Sequence, residues 1–527
     1  MRTFLFNIIK MKKLKLVSLA IAMACATPSL AGGLLTNTNQ HVAFNRMMSR
    51  EASIGIDGVY YNPAGVVFMG EGKHLAINWQ LAYQTRSIEN DYPLFTNNVN
   101  NPTTPREFKG KAFAPVIPSF QYAYNKGRWS LQAGFALTGG GGKCTFDDGL
   151  GSFEKIVAET ALAACQLAGA VDQVAAQYGV PAVFTSDKSF GKEGKYSYNS
   201  YMHGRQYYYG LSLGAAYKFS DNFSAFAGVR GVYASTNYYG YVENIKVGAM
   251  PLYMVLDPTK ETAANIELSC DQSGVGFTPI IGVDFKTGKW NFAAKYEFKT
   301  RIRLKNKSVN QAPSIGNLPD NLRNAYIAGG VPEAAADAII GNPVIQGAMG
   351  QLKTQFDAKL EEAIGEYEDG KKIAGDIPAY LALGVGYSPV NAVRVNVGFH
   401  WFDDKHATSY NNRQEKLDRG TLEYNAGVEV DVNKKITLST GWQNTNYGLS
   451  DEYMDDKSFV VSSNSAAIGG VYHINKKMDL NVAYFHTFYQ HKKTSEKVQL
   501  SAENSINYSS DYTRNNNVFA VGLDINF

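Results

Sequence analysis

The chain has 527 residues, with 51 lysines and arginines against 47 aspartates and glutamates, so its formal net charge is only +4. This mixed charge gives no basic footprint for nucleic acid. Mean hydropathy is −0.24, and after residue 31 no run of 18 apolar residues occurs, which excludes a helical membrane protein. The sequence suggests no metal-ligand spacing, no cofactor and no nucleic-acid partner.

Residues 11–31 predict a secretory signal. Three lysines precede a short apolar core, and Ser29-Leu30-Ala31 is a small-x-small cleavage site. We therefore expect residues 1–31 to be a signal peptide and the mature chain to begin near Gly32. The alternative is lipoprotein cleavage before Cys25, because the preceding residues loosely resemble a lipobox.

Residues 32–73 precede the first strand and are rich in Gly and Asn with little regular pattern. The segment is long for a simple tail and far too short for an independent plug domain. We expect it to fold back into the lumen of a barrel as a hatch, or plug.

The chain from residue 74 onwards consists of two-sided strands, and the last one shows the pattern most clearly. Between Val518 and Phe527 every second residue is apolar, and the residues between them are Ala520, Gly522, Asp524 and Asn526. Side chains alternate faces along a strand. Because many strands carry Gly, Asn, Gln or Arg on the other face, that face cannot pack a dry core. Apolar-out and polar-in is typical of an outer-membrane barrel.

The same alternation predicts about fourteen strands, an even number as in single-chain bacterial barrels. These segments are His74–Gln84, Ile117–Tyr124, Trp129–Thr138, Gln206–Phe219, Phe223–Tyr241, Asn265–Phe285, Lys289–Leu304, Ile377–Tyr387, Val393–Phe402, Leu422–Val432, Ile436–Gln443, Ser465–Ile474, Met478–Gln490 and Asn515–Phe527. The predicted fold class is all-β: a transmembrane antiparallel β-barrel over residues 74–527 with the hatch in its lumen.

Short and long connections alternate along this series. The turns near residues 126, 221, 287, 390, 434 and 476 are short, and the remaining connections are long. Short periplasmic turns and long outer loops place both chain ends in the periplasm. Helical spacing in residues 151–178 and 333–367 predicts that loops 139–205 and 305–376 are partly helical. Those helices either cap the loops with small cores of their own or collect ligand.

Three cysteines remain after the signal, Cys144, Cys165 and Cys270. An odd number in an oxidising compartment allows at most one internal bridge. Two alternatives stay open: a Cys144–Cys165 disulfide within one loop, or three unpaired thiols.

The segment 45–66, which reads NRMMSREASIGIDGVYYNPAGV, resembles the hatch of the FadL / OmpP1 / TodX family of outer-membrane transporters for long-chain fatty acids and other hydrophobic molecules. The resemblance rests on an Ala- and Asp-containing stretch followed by Asn62-Pro63-Ala64, directly before strand one. Residues 118–124 ahead of Trp129, and residues 378–385 ahead of Tyr387, agree with the family pattern.

The resemblance implies a fourteen-stranded barrel closed by the hatch. Ligand would be captured by outer loops, bound in the lumen and released sideways into the membrane through a gap at a kinked strand. The run Gly139–Gly142 is a candidate for such a wall irregularity, since Gly neither packs nor holds a regular ladder; the alternative is a flexible lead into the next loop. The family often carries Tyr-Arg-Ser in the seventh strand, where this chain has Tyr296-Glu297-Phe298, so the ligand need not be a fatty acid.

Three cations on the strand periodicity face the lumen: Arg230, Lys295 and Arg394. Each is a ligand-binding candidate, because a cation can pair with a ligand carboxylate through charge-assisted hydrogen bonds. The alternative is a lumen ion-pair network with residues such as Glu297 or Asp284. His473 and His486 are expected on the outer face.

The combination of hatch and long loops favours transport of hydrophobic compounds over the alternatives, an outer-membrane adhesin or receptor and a porin-like channel. No Ser/His spacing nominates an enzyme site. Expected partners are fatty acid-like small molecules, outer-membrane lipid and lipopolysaccharide. Barrel assembly machinery is a further partner, because it reads terminal aromatic residues such as Phe527 in related proteins.

Overall fold

The computed structural model describes residues 34–347, 349–350, 365–500 and 504–527. The predicted signal peptide, residues 1–31 with Cys25, lies outside the described residues. So does part of the predicted helical stretch 333–367.

The wall is a closed antiparallel barrel of fourteen strands. The strands of the sheet are β1 Gly72–Asp91, β2 Arg106–Lys126, β3 Trp129–Phe146, β4 Tyr196–Lys218, β5 Phe223–Val247, β6 Met250–Pro251, β7 Ile266–Thr287, β8 Trp290–Glu297, β9 Arg303–Ser308, β10 Lys372–Ala374, β11 Tyr380–Val390, β12 Val393–Phe402, β13 Leu422–Asn433, β14 Ile436–Asn446, β15 Ser463–Asn475, β16 Met478–Tyr489, β17 Lys492–Gln499 and β18 Ser505–Asn526. Short strands β6, β9, β10 and β17 extend the wall at its loop end. β18 pairs with β1 and closes the ring, so the predicted barrel is confirmed.

The outer face of the wall is apolar over the height of a membrane. On β4 the outward residues from Tyr207 to Tyr217 span about 33 Å along the strand, or about 25 Å after the usual tilt. Aromatic rings mark both edges: Trp129 packs on Tyr217 at 4.8 Å near the short turns, and Tyr209 stacks on Tyr233 towards the loops. This is the surface of an outer-membrane barrel, and the location of the long loops outside the cell stays a prediction.

Several strands run further towards the loops than the sequence predicted. β1 continues to Asp91 rather than Gln84, and β18 begins at Ser505 rather than Asn515. Beyond the membrane the outward side chains are polar, so the hydrophobic alternation stops while backbone pairing continues. The predicted loops are correspondingly shorter.

The predicted seventh strand is interrupted. β8 ends at Glu297 and β9 begins at Arg303. The chain between them packs against Gly274 and Gly276 of β7, where an added Cβ would approach Ile302 within 2.9 Å and 2.7 Å. Ile302 and Leu304 are thereby buried inside the barrel.

Helices in the outer loops share one apolar core. The helix Gly151–Ala176 fits the prediction, and Leu318–Ala328 and Glu333–Ile340 come from the other large loop. Phe184 and Tyr326 join the two loops edge to face at 5.0 Å. No described helix is long and apolar enough to cross a membrane.

The cysteines are buried thiols: Cys144, Cys165 and Cys270 are all unpaired. Of the two alternatives left by the sequence, the Cys144–Cys165 disulfide is absent from the structure.

Residues 34–71, hereafter the lumen segment, lie inside the ring of strands. They contain the helix Val42–Met47 and the 3-10 turns Ile56–Val59 and Gly65–Met69. Inward polar side chains around the wall bond this segment, from Asn78 on β1 to Asn481 on β16. These hydrogen bonds fix the course of the lumen segment through the barrel, and they require polar side chains on the inner face of the wall.

Candidate functional site

The Asn62-Pro63-Ala64 motif forms a turn held against the wall. The Asn62 amide donates to Asp284 of β7 at 2.6 Å, and its side-chain oxygen accepts from the Gly65 N–H at 3.1 Å. The carbonyl oxygens of the next two residues accept from Gln132 and Ser224, both at 2.7 Å. A proline cannot donate, so the wall contacts use its carbonyl.

Two of the predicted ligand cations are held in a buried ion-pair network. Arg230 donates to both oxygens of Glu297, at 2.6 and 2.9 Å. Lys295 donates to Glu297 at 2.9 Å and to the Tyr60 carbonyl of the lumen segment at 2.6 Å. Glu297 occupies the position where the family often has Arg, and it neutralises cations of the wall. The ligand role of Arg230 and Lys295 stays a prediction, and the structure gives both cations other partners.

The third candidate, Arg394, lies near the short turns. It donates to Glu429 at 2.8 Å and to Asp431 at 2.5 and 2.7 Å. Arg46 of the lumen segment bonds the same Glu429. Arg394 lines a charged cavity of about 860 Å³ at the short-turn end of the barrel, and its ligand role also stays a prediction.

His400, on the inward face of β12, links the lumen segment to the wall. His400 contacts Glu51 at 2.7 Å and Glu423 at 2.8 Å, and all three are buried. By contrast, the expectation for His473 was wrong. His473 lines the same cavity as Arg394 and contacts Asp479 at 2.7 Å. The exposed face of β15 carries Tyr472 and Ile474 instead.

The wall has an interrupted ladder between β2 and β3, hereafter the wall gap. The two strands pair at Gly110–Phe113 and again from Phe120, and residues 114–119 of β2 have no partner on β3. The register of β3 on β4 shifts twice, between Leu137 and Gly139 and between Gly140 and Gly142. The predicted glycine run thus lies within a strand, where Gly140 has φ +71°.

Asn37 of the lumen segment covers the wall gap from inside. Its backbone N–H donates to the Thr138 carbonyl at 2.9 Å. Its side chain donates to the carbonyls of Leu137 at 3.2 Å and Gly140 at 2.6 Å. Asn37 therefore supplies hydrogen bonds that β2 would supply in a regular ladder.

An apolar cluster leads from the lumen segment to the wall gap. Its members come from the segment, from β1–β3 and from β15–β18: Phe44, Met48, Tyr60, Tyr61, Ala82, Ala114, Ile117, Leu137, Ala467, Phe485 and Val518. Tyr207, on the outward face of β4, packs against the same cluster. Apolar packing is thus continuous from the lumen to the outer face.

A cavity of about 410 Å³ lies on the loop side of the lumen segment, within the usual range for small-molecule pockets. Its lining combines aromatic and aliphatic side chains with a few charges: Leu34, Leu35, Tyr208, Tyr238, Leu304, Glu366, Tyr367, Ile373, Asp404, Tyr410, Arg413, Tyr453 and Val460. Burial raises the pKa of Glu366 to about 7 and that of Asp404 to about 6. Both carboxyls thus become neutral more readily than usual and suit an apolar ligand.

A pair of buried arginines lies on β1 and β18, on the loop side of the cluster residues Ala82 and Val518 of the same strands. Arg86 of β1 and Arg514 of β18 face each other across the strands and point inward. Both donate to Gln84, and Arg86 lies over the Phe459 ring at 5.8 Å. Both terminal nitrogens of Arg86 are buried without a hydrogen-bond partner among the described residues. A buried guanidinium in this state is a strong receptor for an anion.

Sequence reasoning missed this pair because the predicted strands ended at Gln84 and began at Asn515. Extending the inward alternation from Gln80 and Gln84 by one step reaches Arg86. For metals, the described ranges hold no group of three or more His, Cys, Asp or Glu side chains arranged for coordination.

No protein-family model matches the sequence, and neither does any curated protein. Solved structures do match. A FadL homologue of Pseudomonas aeruginosa has a TM-score of 0.58 at 14% identity, over 94% of this chain and 100% of that one. The TodX deltaS2S3 mutant, a monoaromatic hydrocarbon channel, has a TM-score of 0.51 at 14% identity, over 92% and 98%.

These similarities cover nearly the whole of each protein and concern the backbone. The chain therefore has the fold of the FadL- and TodX-type outer-membrane barrels.

Proposed function

We propose that this protein carries hydrophobic compounds across the outer membrane and releases them sideways through the wall gap. The observation that carries the proposal is the β2–β3 interruption, which coincides with the stretch of β3 whose carbonyls accept hydrogen bonds from Asn37. An apolar molecule gains little from a water-filled channel, whereas an opening in the wall lets it partition directly into lipid.

The proposed route has three parts. Outer loops admit the compound to the 410 Å³ cavity. The molecule then passes the Arg86 pair and follows the apolar cluster. It leaves between Ala114 of β2 and Leu137 of β3, two members of that cluster.

The ligand class that we propose has an apolar chain and one carboxylate, as in a fatty acid. Arg86 has two terminal nitrogens without a hydrogen-bond partner among the described residues, and it shares the inward face of β1 with the cluster residue Ala82. A carboxylate can accept both in a bidentate pair, and its chain would then lie along the cluster. A neutral aromatic hydrocarbon, the compound type named for the TodX mutant, leaves Arg86 unpaired and is the second candidate.

Uptake into vesicles with a lipopolysaccharide outer leaflet tests the proposal, with laurate, toluene and sucrose as solutes. We expect laurate uptake above that of empty vesicles and no sucrose uptake. Arg86→Gln should slow laurate about tenfold or more, because charged hydrogen bonds are lost, and should leave toluene unchanged.

A matched pair of variants tests the exit. Ala114→Trp fills the inner side of the wall gap, whereas Val116→Trp adds the same bulk on the lipid-exposed side of β2. Only the first should reduce uptake. Sucrose entry at the rate of laurate would favour a porin-like channel, and no uptake of any solute would favour an adhesin or receptor.

A further inference from the structure

Three cations form a patch on the outer face of neighbouring strands. Lys143 of β3 lies directly opposite Arg205 of β4. Lys111 of β2 lies opposite Thr145, the next outward residue of β3. Directly opposite residues have Cβ atoms about 5 Å apart and diagonal neighbours about 7 Å, so the three charges share one small surface.

This patch has no counter-charge of its own. None of the ion pairs in the described ranges includes Lys111, Lys143 or Arg205. The Nε atom of Arg205 is buried and has no hydrogen-bond partner in the part of the chain that the structure describes. Asp271 lies on the same face but beyond Asn237, which donates to it at 2.8 Å. Like charges directly opposite one another destabilise a sheet.

The patch lies at the edge of the apolar band. Arg205 is the first outward residue of β4 above Tyr207, and Lys111 is the first on β2 above Phe113. Phe113 and Tyr209 are exposed to lipid just below. The cations therefore stand at the level of lipid headgroups in the outer leaflet, beside the wall gap.

We propose that Lys111, Lys143 and Arg205 bind the phosphate groups of an outer-leaflet phosphorylated glycolipid, the chemistry of the lipid A part of lipopolysaccharide. Arginine pairs with phosphate through two parallel hydrogen bonds, and lysine adds point charges. The acyl chains of the same molecule would cover the apolar residues below, including Phe113. A lipid satisfies both halves of the surface, the cationic edge and the apolar wall, whereas free phosphate satisfies only the first.

Native mass spectrometry of the detergent-purified full chain tests this site. The probe is diphosphoryl lipid A, compared with lipid A from which both phosphates have been removed. We expect the parent to retain the diphosphoryl form. The triple variant Lys111→Gln/Lys143→Gln/Arg205→Gln should bind it about 100-fold more weakly, because three surface charges are lost.

Lys126→Gln is the matched control, since Lys126 is exposed at the opposite end of β2. It should bind as the parent does. The single variant Lys143→Gln, on an exposed outward position, gives a second measurement if the triple variant does not fold. Three results would each overturn the proposal. These are equal binding of the dephosphorylated lipid by the parent, undiminished binding of diphosphoryl lipid A by the folded triple variant or by Lys143→Gln, and complete displacement of the lipid by millimolar inorganic phosphate. None of these outcomes depends on transport.

Discussion

Glu297 shows how single residues decide whether a polar lumen is stable. It accepts hydrogen bonds from Arg230 and Lys295, and all three side chains are at most 5% exposed. If this carboxylate lost its charge, two buried cations would be left without their counter-charge.

We therefore predict that Glu297→Gln destabilises the folded barrel by about 3–5 kcal/mol, since it leaves buried charge uncompensated. The midpoint of urea unfolding, read from the mobility shift of folded barrels on gels, measures this. Glu193→Gln is the control, because the Glu193–Lys195 pair is exposed. Equal midpoints for both variants would contradict the prediction.

Glu366 gives the outer cavity a pH dependence. Burial raises its pKa from 4.5 to about 7, although Arg413 and Lys457 oppose the shift. The folded state thus favours the neutral acid. Its stabilising contribution is complete below about pH 4.5 and is lost as the pH rises through about 7.

We expect the loop around Glu366 to open more readily at about pH 8 than at about pH 5. Hydrogen exchange of residues 365–374, corrected for intrinsic rates, measures the opening. Glu366→Gln should flatten much of the slope, and Glu368→Gln, at an exposed neighbouring position, should keep it. Identical slopes in parent and Glu366→Gln would show that this carboxyl does not control the loop.

At the scale of elements, β3 departs from a regular strand only where its glycines allow it. Gly140 has φ +71°, and an added Cβ would clash with the backbone of Gln206 on β4. Gly127, in the turn before β3, has φ +60° with no atom near its Cβ position. Both glycines have a left-handed backbone, but only at Gly140 does a neighbouring strand lie close to the position of an added Cβ.

We predict that Gly140→Ala lowers the free energy of unfolding by about 1–3 kcal/mol more than Gly127→Ala, because only the first adds a steric clash to the φ strain. Urea unfolding of both variants measures the difference. Equal losses would mean that β3 can shift to accommodate the methyl group.

The lumen segment is the second element with its own prediction. The wall ladder is closed without it, since β18 pairs with β1, and inward polar groups can bind water instead. Removal of residues 33–66 should therefore leave a folded barrel that conducts small ions. Single-channel conductance is the measurement. A folded variant that conducts no more than the parent would show that this segment is not the plug.

At the scale of the whole molecule, the chain ends where the ring closes. The Phe527 N–H donates to the Lys73 carbonyl at 2.9 Å, and its side chain is exposed on the outer face. The terminal residue contributes one backbone bond but little packing.

Because assembly machinery is expected to read this terminal aromatic residue, deletion of Phe527 should lower the amount of protein in the outer membrane several-fold. Because the residue packs little, the detergent-refolded variant should keep nearly the parent stability. Quantitative immunoblots of membrane fractions and urea unfolding separate the two effects. Unchanged membrane abundance would exclude Phe527 as an assembly signal.

The sequence alone determined the all-β barrel and its strand number, and it predicted the orientation. These follow from local alternation and loop length, which depend on the solvent around each strand and are visible in neighbouring residues. It also predicted the helix from Gly151, and it offered the glycine run as one of two alternatives, an irregularity of the wall or a flexible lead into the next loop.

Only the tertiary structure decided which charges are neutralised. Arg230, Lys295 and Arg394 look alike in sequence, yet Arg230 and Arg394 each meet a carboxylate from another strand, Lys295 meets Glu297 of its own strand, and Arg86 meets Arg514 instead. The partners of Arg230, Arg394 and Arg86 depend on how strands that are separate in the sequence align with one another. Beyond the membrane, moreover, the outward side chains are polar. The sequence therefore loses the hydrophobic alternation that marks a strand, although backbone pairing continues. The position of the wall gap has the same origin, because a missing ladder is a property of two strands together.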